Sequence, residues 1–206
     1  MKTSECSWGR EKGQIEATFC AMQYNSPSEP LMSTPPSPIA QLAAACEAEG
    51  LTIQNGEKIA ATLAVEFRIQ LDEVGILRLE NDSLVFVHPA KLHNVGRIPL
   101  NTTNSVAART LTSKRPEIMN NFARTKHTTF FEMVDISSKQ TLPKIGREYQ
   151  TIQKLMSVPV IGVGKAVGVI QVCRKGPTLI GAGPDFITAD LQKLVTLAGM
   201  LVRCFR

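Results

Sequence analysis

Residues 157–191 constrain this chain more than any other stretch. Ser-Val-Pro-Val-Ile-Gly-Val over 157–163 is followed by Gly164-Lys165 and then by Ala-Val-Gly-Val-Ile-Gln-Val-Cys-Arg over 166–174. Runs this rich in Val and Ile, bounded by Gly, favour a pleated, half-buried backbone. The spacing predicts strands over 158–163 and 166–174, hairpinned at Gly164-Lys165, where Gly164 supplies the positive φ of a tight turn. A Gly-rich loop follows, and Phe186-Ile-Thr-Ala-Asp190-Leu191 opens a helix. In that helix Leu191, Leu194, Val195, Ala198, Leu201, Val202 and Phe205 recur at helical spacing. Thr188 is a candidate N-cap. Asp190 sits in the first turn, where the helix dipole favours a carboxylate.

Upstream, helices are expected over 38–49 and 56–70. The first has Pro38 in its opening turn and Gly50 as its stop; the second carries Ile59, Leu63 and Phe67 on one face. Two strand-like runs over 73–79 and 84–88, split by Asn81-Asp82, read as a hairpin. Pro89 ends that hairpin and opens a short helix that Gly96 closes. Then come Arg97-Ile-Pro-Leu100, a helix from Ser105 to Leu111, and Lys114-Arg-Pro-Glu-Ile-Met-Asn120-Asn121, whose Pro116 marks an edge strand. Residues 121–151 show no clean period, and Phe130, Phe131, Met133 and Val134 are their apolar members. Long irregular stretches inside compact domains tend to carry function.

The order of these motifs resembles the GAF domain family, small-molecule-sensing relatives of PAS domains. The resemblance rests on five of them: the 73–88 hairpin, the Ile-Pro-Leu segment, the Lys-x-Pro-x-Ile-x-Asn strand, the 158–174 hairpin, and Lys175 followed by Phe186-x-x-x-Asp190. It covers about residues 56–205. It implies an α+β fold with a central antiparallel sheet of about five to six strands. N- and C-terminal helices would lie on one face and a helix-and-loop lid on the other. Residues 1–38, dominated by Ser, Pro, Glu and Lys, read as a disordered tail, or as a docking peptide that orders on a partner. Residues 39–206 are then the domain, with leading helices over 39–70 and the sheet, lid and last helix over 71–206.

The chemistry points away from catalysis. Serine elbows, phosphate loops and paired catalytic carboxylates are absent. The five cysteines, Cys6, Cys20, Cys46, Cys173 and Cys204, form no C-x-x-C pair, and their odd number fits neither a zinc cage nor a disulfide framework. His88 and His93 are five apart, which is not the spacing of paired helical ligands, so no metal or other cofactor is expected. They read as surface imidazoles or a capping contact. The net charge of +5 raises nucleic acid, but the basic residues are scattered and aromatics are only 5%, too few for a stacking surface. No run is long enough to cross a membrane, and a reducing cytoplasm is the expected setting.

Within the resembled family, the reductases of free methionine sulfoxide cluster several cysteines at the pocket. Here no cysteine lies between Cys46 and Cys173, so an enzyme is not expected. Cyclic-nucleotide-binding members carry Asn-Lys … Phe-x-x-x-Asp-Glu. Arg174 and Leu191 depart from that pattern, while Lys175, Phe186 and Asp190 match it and are expected to form a structural latch, Lys175 pairing with Asp190. Bilin-binding members attach the pigment to a lid Cys, and 121–151 has none. The resemblance therefore implies a sensory domain that holds an unidentified small molecule between sheet and lid. Candidate ligand contacts are Arg109, Asn121, His127, Phe130, Phe131 and Glu132. Signalling would run through a homodimer made by the first and last helices, or through a partner protein. The alternative is a ligand-free interaction module.

Overall fold

The computed structural model describes residues 37–94, 96–102, 104–124 and 151–205. Helix α1 spans Pro38–Glu47, and Ser37 caps it by accepting from the Ala40 amide. It is two residues shorter than its spacing predicts. Helix α2 spans Ile53–Phe67. It starts three residues before the predicted bound because the Thr52 hydroxyl accepts from the Asn55 amide at 3.1 Å. It stops at Arg68, whose left-handed backbone (φ 52°) lets the Ile69 amide close onto the Ala64 carbonyl at 3.0 Å.

Six strands follow: β1 Val74–Glu80, β2 Ser83–His88, β3 Arg97–Pro99, β4 Glu117–Met119, β5 Ile152–Gly162 and β6 Lys165–Lys175. They form one antiparallel sheet in the order β3-β2-β1-β6-β5-β4. Helix α3, Val106–Ser113, precedes β4, and α4, Thr188–Leu201, ends in a 3-10 turn over Val202–Phe205. Short edge strands leave little unpaired backbone exposed. Pro159 lies in β5 beyond the end of β4, which reaches only Ser157, so no β4 carbonyl faces its missing N–H.

The β5–β6 hairpin is the longest pairing, and it corrects the predicted turn. Gly162 pairs with Lys165, so the two-residue loop is Val163-Gly164, at φ 49° and 74°. Both central residues take the positive φ of a type I′ turn, as do Asn81 and Asp82 between β1 and β2. Strand β5 also starts six residues before its predicted bound. The polar Gln153, Lys154 and Ser157 hid its first half, yet all three are buried and hydrogen-bonded.

The sheet separates two apolar layers. On one face α1, α2 and α4 bury Ile39, Ile59, Leu63, Leu194 and Leu201 against Ile76, Val158 and Ile170. A fully buried Leu or Ile contributes about 1.5–3 kcal/mol. Two glycines allow the helices their approach. A Cβ on Gly56 would sit 2.7 Å from Val87 Cγ1, and one on Gly168 would sit within 2.5 Å of the Leu77 carbonyl and the Phe205 ring. Val195, placed on the buried stripe by its spacing, is in fact exposed. On the other face α3 lies against β5 and β6. No helix among the described residues is long and apolar enough to cross a membrane.

Candidate functional site

The α3-covered face carries an unusual composition. Its apolar residues fall into two separate clusters. One joins Leu77, Leu84, Phe86 and Val169 to Ala107, Ala108 and Leu111 of α3. The other joins Val106, Phe122, Ile152, Leu155 and Cys173. Three buried polar side chains, one on each of α3, β5 and β6, stand on the same face. The Thr110 hydroxyl donates to Ser157 Oγ at 2.8 Å, and Gln171 Nε2 donates to the same oxygen at 3.2 Å. Thr110 and Ser157 are wholly shielded, and Gln171 nearly so. Period-two alternation explains the convergence: Ser157 and Gln171 are directly paired across the β5–β6 ladder, so their side chains emerge on one face. Burying three polar groups costs free energy that only their mutual hydrogen bonds offset.

The predicted contact residues divide. Arg109 lies on α3, where its Nε and Nη2 donate to the two Glu117 carboxylate oxygens at 2.9 and 2.5 Å. This two-pronged pair ties α3 to β4. Asn121 is exposed in the turn after β4. His127, Phe130, Phe131 and Glu132 lie outside the described residues.

One residue earlier, Asn120 does structural work that its sequence position did not reveal. Its Oδ1 accepts from the Phe186 amide and its Nδ2 donates to the Phe186 carbonyl, both at 2.9 Å. The contact spans 66 residues of chain, so no local pattern announces it. The Asn that ends the Lys-x-Pro-x-Ile-x-Asn motif marks the residue but not its partner.

The expected Lys175–Asp190 latch does not form. Lys175 Nζ pairs with Asp72 Oδ2 at 2.8 Å, and Asp190 accepts from the Ile187 amide at 2.9 Å, capping its own helix. Ile187, not Thr188, is therefore the N-cap. Phe186 is buried as its motif position implies, with the Arg174 guanidinium 4.8 Å from its ring centroid. Lys154, itself 3% exposed, pairs with Asp185, two residues before that N-cap, at 2.7 Å. His88 is also buried rather than superficial. Its Nε2 donates to the Leu71 carbonyl at 3.1 Å, while His93 Nδ1 donates to the Phe86 carbonyl at 2.7 Å.

Solved structures superpose on this arrangement. The GAF domain of an Acinetobacter phosphoenolpyruvate-protein phosphotransferase does so with a TM-score of 0.55, at 16% identity, covering 81% of this chain and 89% of that one. The GAF domain of the Coxiella burnetii phosphoenolpyruvate-protein phosphotransferase gives 0.52 at 12% identity, with 80% and 90% covered. This chain has the GAF fold. A third GAF-like neighbour is the free methionine-R-sulfoxide reductase of Neisseria meningitidis, solved in complex with its substrate, at 0.53 and 19% identity, with 81% and 85% covered. No family model and no curated protein matches the chain. In this fold the described cysteines occupy both sheet faces. Cys46 and Cys204 lie in the helix-side core and Cys173 in the α3-side core.

Proposed function

We propose that this chain is a non-catalytic sensory GAF domain that holds a small molecule on the α3-covered face of its sheet. The observation that carries the reading is that the apolar residues of this face fall into two separate clusters rather than one continuous core, with the buried Thr110–Ser157–Gln171 group on the same face. Small-molecule sites pair apolar walls with a few fixed polar groups that orient the guest, and here a hydrogen-bonding cluster shares a face with two apolar clusters. The thiols favour binding over chemistry. Burial raises the Cys46 pKa, and burial reinforced by Cys46 pushes Cys204 up to about 11, so both stay protonated and weakly nucleophilic at neutral pH. They also stand on the face opposite Cys173, which speaks against a relay among the described cysteines.

Native mass spectrometry of gently purified protein tests the reading, followed by calorimetric titration of what co-purifies. The expected result is a bound species released by Ser157→Ala or Gln171→Leu. Protein that carries nothing, and is not stabilised by any member of a nucleotide and heteroaromatic panel, would leave the interaction module as the better account. One feature favours that second reading as a route for signalling. An apolar groove of about 420 Å³ runs between the start of α1, the second half of α2 and α4, with Val65 80% exposed at its edge.

A further inference from the structure

A second cleft, of about 270 Å³, opens where the end of α2, the Leu71–Glu73 turn before β1, the end of β6 and the 177–183 loop meet. Its charges are not balanced. Three cations, Arg68, Arg174 and Lys175, line it against two carboxylates, Asp72 and Glu73. Both carboxylates are already engaged. Asp72 takes Lys175 Nζ at 2.8 Å, while Glu73 accepts from the Gln70 amide at 2.7 Å and the Lys175 amide at 2.6 Å. Neither arginine pairs with a carboxylate among the described residues. Arg174 is the more under-satisfied. Its Nε is buried with no hydrogen-bond partner among the described residues, and its Nη2 has only the Phe67 carbonyl at 3.5 Å. Phe186 stacks beneath it and holds the plane in place.

Two residues that line the cleft have left-handed backbone. Gly183 has φ +92°, and a Cβ there would come within 3.8 Å of Arg174 Nη1. Arg68 sits at the left-handed end of α2, a position that Gly fills without strain and that other residues occupy at a cost. Arg68, at a position where glycine is favoured, and Arg174, with no carboxylate partner among the described residues, line the same cleft.

We propose that this cleft binds a small oxyanion, a carboxylate or phosphate group, through Arg68 and Arg174. A guanidinium presents parallel N–H donors that match two oxygens of such a group, and one negative charge would neutralise the excess. The site is independent of the α3-covered face, so either proposal can fail alone.

The test follows the ¹⁵N amide signals of Gly181 and Gly183 in the full chain during titration with inorganic phosphate and, separately, with succinate, with sodium chloride at matched ionic strength as the control. A saturable shift with either probe and none with chloride is expected; which probe saturates identifies the oxyanion. Arg68→Gly relieves the left-handed strain, so its melting temperature should rise while affinity falls about 10-fold. Arg174→Gln should abolish saturation. Linear shifts matched by chloride, or unchanged affinity in the stably folded Arg68→Gly protein, would overturn the proposal.

Discussion

Val163 carries a conformational penalty that nothing around it relieves. Its side chain is 98% exposed and its φ is 49°, so a β-branched residue sits in the left-handed region without packing to compensate. Asn tolerates that region and, followed by Gly164, makes the preferred type I′ pair. Val163→Asn should stabilise the protein by about 1 kcal/mol, read as a higher urea midpoint at unchanged slope. His88 holds the opposite kind of tension. Burial lowers its pKa below the usual 6.5, against opposing effects of the Leu71 hydrogen bond and the Glu57 and Asp72 charges. The unfolded chain therefore takes up a proton near pH 6.5 that the folded protein refuses. Stability should be flat above that pH and fall as pH drops through the window between 6.5 and the lower folded value. Melting curves of His88→Gln should lose that slope; an identical slope would assign it to other groups.

At the scale of elements, the Val/Ile runs and the Asn81-Asp82 turn made both hairpins legible, because a period of two and a tight turn are local facts. Bounds failed where the deciding partner was distant. The first half of β5 read as polar, since Lys154 finds Gly183 and Asp185 only after the 176–187 loop folds back. Lys175 found Asp72, about one hundred residues earlier, instead of the motif's own aspartate. Asn120 fastens β4 to the entry of α4, satisfying a partly buried amide and carbonyl of Phe186. Asn120→Ala should cost about 2 kcal/mol in urea unfolding. Asn120→Asp should not rescue it, because a carboxylate would then face the Phe186 carbonyl. A loss below experimental error would mean that β4 and α4 are held by packing alone.

For the whole molecule, five weak motifs in one order conveyed the fold because each restricts how the next strand can join the sheet. The candidate site was less legible. Thr110, Ser157 and Gln171 lie on three elements and meet only when β5 and β6 pair beneath α3. The helix side poses the remaining question of assembly. The groove edged by Val65 and Met200 is flanked by an ion pair, Glu66 with Lys193, whose side chains are each 43% exposed. A two-fold axis would set apolar against apolar there and place each copy's acid near the other's base, as a self-complementary contact requires. A homodimer through this face should show as a sedimentation mass that climbs with concentration from 22.5 kDa. Val65→Lys, at a site too exposed to matter for folding, should hold the protein at the monomer mass with an unchanged melting temperature. A native protein that stays monomeric at every concentration would rule out this face as a dimer contact.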